Sequence, residues 1–410
     1  MRKFTIIGGG QSGLMVAIGL LKAGNKVRVV QNRTGDEIAR GKVLSSQCMF
    51  SNAVQHERDL GIDFWSDSCP PVQGINFMVP NPDGSGSKVI DWTGKLDRNA
   101  YAVDQRVKMP RWLDEFVKLG GELVIADAGI EELETYAAED DLVIVASGKG
   151  EVGKMFARDA DKSPYDKPQR ALALTYVTGM TPRQPHSAVE FNLIPGVGEY
   201  FVFPSLTTTG PCEIMVLEGI PGGPMDCWAD VTSPEQHLEK SLWILKTFLP
   251  WEYERSKDCQ LTDPNGILAG RFAPTVRQPV GVLPSGRKIL GLGDAVCLND
   301  PITGQGSNNA SKAAAIYLKR ILDHGDRPFD QAFMQDTFDA YWDYAKWVVQ
   351  WTNMMLQPPP PFILEIMGTA CAEPRLAHRM ANAFDDPRDF FPWFSDPAEA
   401  SAYLGSLKAA

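Results

Sequence analysis

The chain has 410 residues, enough for two cores or for one large discontinuous domain. Its composition is that of an ordinary globular protein, 44% hydrophobic and 22% charged, and its net charge of −11 with no Lys/Arg block argues against a phosphate-tracking nucleic-acid surface. Seven scattered cysteines without a CxxC pair point to a reducing compartment rather than a disulfide framework or zinc site, and five isolated histidines give no metal centre.

The N-terminus, MRKFTIIGGGQSGLMVAIGLL, has the basic start and apolar stretch of a leader. Glycines and polar residues interrupt that stretch, however, and no small-residue cleavage site follows. No run is long enough to span a membrane, so the expectation is a cytoplasmic protein without a membrane partner. Residues 4–7 read as a buried parallel strand, 12–23 as a helix ending at Gly24, and 26–30 as a second strand, which together make a βαβ start. Residues 103–119 have the spacing of an amphipathic helix interrupted by Pro110, and 122–126 and 141–146 read as strands. From 171 to 217 four β-rich runs (171–178, 188–194, 199–203 and 213–217) alternate with Gly/Pro turns, which predicts an antiparallel sheet with one exposed face. Residues 234–248 form a helix and 288–292 one more buried strand. Beyond about residue 329 the pattern is helical, broken by QPPPP at 357–361, which reads as a rigid elbow.

Two glycine-rich turns stand nearly at opposite ends of this pattern. Gly8, Gly10 and Gly13 form GxGxxG directly between a strand and a helix, the setting of a dinucleotide fingerprint. Gly8 allows the tight turn, Gly10 lets the backbone approach a pyrophosphate, Gly13 lets helix and strand pack closely, and Ser12 lies in the same turn. The ribose-binding acid at the end of the second strand is replaced by Gln31, which forfeits a charge-assisted bond; Asn32 or Arg33 could compensate. The second cluster, GLGDAVCLNDPITGQG at 291–306, looks like the second FAD motif of aromatic hydroxylases. Asp294, after Gly293, would accept hydrogen bonds from ribityl hydroxyls, although a turn aspartate is the plain alternative. Pro301, Ile302, Thr303, Gly304, Gln305 and Gly306 would offer main chain to the flavin ring, with Asn308 in the helix that follows. Where such hydroxylases carry a central Asp-Gly, this chain has Ser147-Gly148, which argues against direct reduction by NAD(P)H.

The whole chain resembles the styrene/indole monooxygenases, two-component flavoproteins supplied with reduced FAD by a partner reductase. The resemblance rests on IIGGGQSGL, VDQR at 103–106, VASGKGEVGKMF, SPYDKPQRAL at 163–172, IPGVGEYFVFPSL at 194–206, GLGD…DPITGQG and QWTNMML at 350–356. Styrene enzymes carry an Asn-x-Val-x-His pattern in the first active-site loop. This chain reads VLSSQCM there, with Ser45, Gln47 and Met49, the pattern of the indole-preferring branch. Val72 and Ile75 stand where styrene enzymes have Tyr and His, and Ala100 replaces a Ser.

The resemblance implies an α/β fold: a Rossmann-like FAD-binding domain of aromatic hydroxylase type, an inserted antiparallel β-sheet substrate domain, and C-terminal helices. Residues 1–50, 96–165 and 270–330 would form the FAD domain, 51–95 and 166–269 the substrate domain, and 331–410 the helical region. It implies that reduced FAD and O2 give a flavin C4a-hydroperoxide that epoxidises the C2=C3 bond of indole, yielding indoxyl and then indigo; styrene epoxidation is the alternative. NADH would serve the partner NADH:FAD oxidoreductase, not this chain, and a homodimer is compatible. Ser45 or Gln47 could accept the indole N–H, or could serve the flavin or the loop backbone. Met49, Val72, Ile75, Ala100, Phe201, Phe203 and Ile302 would wall a flat aromatic pocket or be plain core. Lys42 and Arg106 lie where the family has cations near the cofactor, and each could instead be a solvated surface charge. Three further readings stand beside this one. A single-component hydroxylase would consume NADH unaided, a flavin halogenase would need the WxWxIP motif absent here, and a non-catalytic sensor leaves the intact DPITGQG turn unexplained.

Overall fold

The computed structural model describes every residue except Lys149 and Ala410; Lys149, inside the VASGKGEVGKMF segment, thus lies outside the described residues. The apolar run after Arg2 forms β1 (Lys3–Ile7), and the turn at Gly8 leads at once into the helix Gln11–Lys22. That helix is buried from Gln11 to Leu20, and the chain leaves it through Gly24 in the left-handed region, φ 81°. β2 (Lys26–Gln31) then pairs with β1 in parallel. Next come β3 (Pro71–Pro80) and β4 (Lys88–Tyr101), a long antiparallel hairpin. β5 (Glu122–Ile125) and β6 (Leu142–Val145) flank the β1–β2 pair. β7 (Ala171–Thr178), β8 (Val189–Ile194), β9 (Gly198–Thr207) and β10 (Gly210–Gly219) follow, and β11 (Gln260–Leu261) and β12 (Ile267–Gly270) pair with β7. β13 (Thr275–Val276) meets β16 (Cys297–Leu298) in a short ribbon, between which β14 (Val280–Val282) and β15 (Lys288–Gly291) complete the first sheet.

Two sheets result. The first has the order β14-β15-β6-β1-β2-β5 and is parallel apart from the β14–β15 hairpin. Its central strand β6, Leu-Val-Ile-Val, is buried throughout, as a parallel strand covered on both faces must be. The second has the order β11-β7-β10-β9-β8-β3-β4, with β12 also on β7. Its pairs are antiparallel except β3–β8, which run parallel.

The structure corrects the expectation of one exposed face on this sheet. On one side Phe77, Trp92, Phe191, Phe201 and Phe203 pack with Trp351, Leu376 and Phe390 from the C-terminal helices. On the other, Ala173, Tyr200, Val202 and Met215 pack with Ile244 and Leu245 of the helix Pro234–Phe248. The runs alternate in size more than in polarity, because both faces meet a helical layer. β4 alone shows a long alternation of buried and exposed residues. Pro110 does not interrupt its helix either: Gln105–Lys118 is continuous through it. Burial of Met109, Trp112, Leu113 and Phe116 outweighs the missing N–H at a position close to the helix start.

The helices Gln331–Met355, Pro361–Ala370, Pro374–Asn382 and Pro397–Ala409 close the chain, with the proline run as the bend between the first two. Gly94 in β4 lets the Pro374–Asn382 helix seat directly on the hairpin, since a Cβ there would meet the Ala381 side chain at 2.7 Å. Among the described residues no helix is long and apolar enough to cross a membrane.

Candidate functional site

The two glycine clusters meet in space. β1, β6 and β15 end side by side, and the turns that follow them pack against one another. Gly8 has φ 110°, and a Cβ on it would press on Ala146 and Ser147 at 3.1 Å. A Cβ on Gly13 would collide with the Gly8 carbonyl oxygen, so this helix and strand pack as closely as backbone allows. Gly148 needs the same freedom against the Asp294 carbonyl oxygen, 2.8 Å from its missing Cβ. Gly293, at φ 61°, faces the Ser12 hydroxyl, 2.6 Å from where a Cβ would stand. The Ser147-Gly148 step therefore lies between the fingerprint and the GD turn as their common spacer.

Around this junction the structure leaves an open cradle at Gly10, whose missing Cβ faces nothing within 4 Å. The Gln31 side chain lies over Gly9 and donates to the Arg33 carbonyl oxygen at 2.5 Å. Asp294 is exposed beside the cradle. Lys42 is exposed as well.

Further along, Asp300 accepts from the Ile302 amide at 3.2 Å and starts the single-turn 3-10 helix Pro301–Thr303. Gly304 closes it at φ 63°, its N–H reaching the Pro301 carbonyl oxygen at 2.7 Å. Burial pushes the Asp300 carboxyl up to about 6, against the downward pull of the Ile302 amide and Arg170. Thr303 is pinned to Thr352 at 2.7 Å. The helix Gly306–Asp323 begins at the end of this turn, and no side chain caps its first N–H groups.

The loop at 45–50 closes over the start of that helix. Asn308 fastens it, accepting from the Phe50 amide at 2.8 Å and donating to the Cys48 and Gly304 carbonyl oxygens at 2.8 and 3.0 Å. Gln47 donates to the Val103 carbonyl oxygen and accepts from Ser307 at 3.0 Å. Ser45 presents a buried hydroxyl with no partner, while its carbonyl oxygen accepts from Tyr176 at 3.2 Å. Met49 pairs with Tyr101 through backbone bonds and packs with Ala53 and Val54, apart from the other expected pocket walls.

Val72, Ile75, Ala100, Phe201, Phe203 and Ile302 do come together. They belong to one apolar layer between the second sheet and the C-terminal helices, joined by Val43 and Cys48 of the loop. Phe191, which the sequence reading did not single out, stacks at a tilt on Phe201 with centroids 4.4 Å apart.

For Arg106 the structure excludes the alternative of a solvated surface charge. The side chain is 3% exposed and its guanidinium is used by Asp104, Thr207 and Asp263 at 2.8–3.1 Å. Burial would raise the Asp263 carboxyl, but its hydrogen bonds to Arg106 outweigh that and hold it low. Only Asp104, two residues away, was a visible clue; Asp263 arrives through the fold.

Among the buried polar atoms left without partners, Ser45 Oγ, Gln305 Oε1 and both amide atoms of Asn309 belong to the 45–50 loop and the start of the helix it covers. Such groups cost free energy unless a ligand or water completes them. With the Gly10 cradle and two helix N-termini converging, the residues fit an elongated, phosphate-bearing dinucleotide with an apolar layer beyond its ring end. Asn309 was missed because a polar residue in a helix reads as solvated until its burial is known.

Comparison with known proteins gives the same direction. Residues 148–255 match the family model described as "Styrene monooxygenase A putative substrate binding domain". The chain is 29% identical over 405 residues to styrene monooxygenase StyA of Pseudomonas fluorescens, covering 97% of this chain and 96% of that one. It is 28% identical, with the same coverage, to a StyA from a Pseudomonas species. Solved structures share the fold at low identity. A flavoprotein/dehydrogenase from Cytophaga hutchinsonii gives a TM-score of 0.69 at 12% identity over 99% of this chain and 98% of that one. A triple mutant of the flavin-dependent brominase Bmp2 gives 0.66 at 14% over all of both chains.

Proposed function

We propose, from the premise that the chain belongs to the styrene monooxygenase family of two-component flavin-dependent enzymes, that it epoxidises the C2=C3 bond of indole with reduced FAD and O2, giving indoxyl and then indigo. The reduced FAD comes from a partner NADH:FAD reductase. When bound, FAD supplies the electrons and the activation of O2; the hard chemistry belongs to the cofactor. The protein's part is to bind, orient and keep water out. Gly8, Gly10, Ser12 and Gly13 would hold the pyrophosphate, Gln31 the ribose, and Gly293 and Asp294 the ribityl chain. The Pro301–Gly304 main chain and the helix start at Gln305 and Gly306 would meet the ring. Val72, Ile75, Ala100, Phe201, Phe203 and Ile302 would form the dry wall for a flat arene.

The observation that carries indole is the Ser45 hydroxyl, buried without a partner in the loop whose Val43 and Cys48 join the apolar layer. A hydrocarbon would leave it unpaired, whereas an indole N–H would complete it. Gln47, the other candidate acceptor, already spends its amide on Val103 and Ser307. Purified protein with FAD, NADH, indole, catalase and an unrelated NADH:flavin reductase should form indigo, and none should form without the reductase. Ser45→Ala should raise the indole KM about 5- to 150-fold, the worth of about 1–3 kcal/mol, and leave styrene epoxidation unchanged. Equal effects on both substrates would remove the indole assignment. Styrene is the second reading, favoured by the StyA relatives, and the product ratio on the two substrates separates them.

A further inference from the structure

Behind the Pro301–Gly304 turn lies a group of charges that the reaction as described does not use. Arg170, in the KPQRAL segment, makes a two-pronged pair with Glu199 at 2.6 and 2.9 Å. Glu199 on β9 stands directly opposite Glu218 on β10 in the strand register. Like charges in that position repel. Glu218 is fully buried, and neither of its carboxylate oxygens has a hydrogen-bond partner among the described residues. Asp300, 1% exposed, sits within electrostatic reach of Glu218, Glu199 and Arg170 and caps the turn through the Ile302 amide. Three buried carboxyls thus share one guanidinium, and Glu199 already neutralises it.

We propose that Glu218 and Asp300 hold one proton between them at neutral pH, carried by Glu218, and that this lets Asp300 stay ionised on the Ile302 amide and keep the turn shaped for the cofactor. Glu218 is a positioning residue, acting through Asp300. The assignment of the proton follows from geometry: Asp300 has an amide to stabilise its charge, whereas Glu218 has nothing. The facing charged groups are Arg170 at the head of β7, Glu199 on β9 and Asp300 in the turn. Burial raises the Glu218 carboxyl well above its usual range, with Asp300 and Glu199 adding to it and Arg170 opposing. The sign is then fixed: the neutral form is favoured in the folded protein, and that advantage is lost as pH rises. Above the transition, a second negative charge beside Asp300 drives it off the amide, the turn loosens, and water reaches the site.

The inference rests on the turn facing the flavin, not on the substrate being indole, so styrene serves equally as the reporter. The measurement is FAD affinity by fluorescence, together with hydrogen peroxide released per epoxide, from about pH 6 to about pH 9. The native protein should lose FAD affinity on the order of tenfold on the alkaline side, the scale of one charge-assisted hydrogen bond, with a parallel rise in peroxide. Glu218→Gln and Glu218→Leu, neutral at every pH, should lack both changes. Variants that retain the native alkaline rise would overturn the proposal. If neither variant folds, the native protein still decides: an FAD affinity flat across the interval refutes it, and a fall that tracks the peroxide supports it.

Discussion

The junction of the two glycine turns can be broken at one atom. Gly293 has φ 61°, and a side chain there costs about 1–2 kcal/mol in backbone strain alone. Its Cβ would also stand 2.6 Å from the Ser12 hydroxyl oxygen and 3.4 Å from the Ser12 Cβ. The first distance is a clash and the second an ordinary contact. With Ser12 itself buried, the overlap should add about 1–3 kcal/mol. Gly293→Ala should therefore destabilise the apoprotein by about 2–5 kcal/mol, and Ser12→Ala, which removes the clashing atom, should recover the second part but not the first. The double variant would then sit about 1–2 kcal/mol below Ser12→Ala, a coupling of about 1–3 kcal/mol. Urea unfolding of the four apoproteins measures this without any reliance on cofactor binding. Additive effects would show that the GD turn does not lean on the fingerprint helix, and the shared-site argument would lose its steric basis.

Two further outcomes are expected. Asn308→Ala removes three hydrogen bonds, two of them buried, and strands the Phe50 amide and Cys48 carbonyl; a loss of about 2–4 kcal/mol should appear as rapid amide exchange confined to residues 45–50. Glu190, on β8 of the second sheet beside Arg183 and Glu252, is pushed by burial from 4.5 up to about 7, so stability falls as pH rises between those values and levels off above them. Glu190→Gln should stabilise the protein increasingly from about pH 4.5 to about pH 7, by a constant amount above that interval and little below it, by thermal melts; an unchanged pH profile would refute the assignment.

The parts of this site that were legible in the sequence are those in which local backbone geometry and ligand chemistry ask for the same residues. GxGxxG between strand and helix is such a case, because the same glycines serve the turn, the close packing and the phosphate. The apolar cluster was legible for a different reason: Val72 faces Ala100 through sheet register and shares one apolar layer with Phe201, a proximity that family resemblance carries and periodicity does not. The roles of polar side chains were the least legible. Gln47 and Asn308 read as free to meet a ligand, yet their partners lie more than fifty and two hundred residues away. The hairpin of β3 and β4 was not resolved into strands, since its outer face carries Asp91, Lys95, Asp97 and Arg98, and Gly94 is explained only by the helix that lands on it.

The one parallel pair in the second sheet has a bearing on how the chain is made. β3 needs β8 as its inner neighbour, and β8 begins more than a hundred residues after β3 ends. At ordinary synthesis rates of about 5–20 residues per second, roughly 5–20 s pass between the two on the ribosome. During that time the β3–β4 hairpin carries Ile75, Phe77 and Val79 with neither its strand partner nor its covering helices, which come later still. A nascent chain of this kind is exposed to mispairing along that edge. Slowing folding relative to synthesis, or depriving the cell of holding chaperones, should cost yield through this hairpin before any other element.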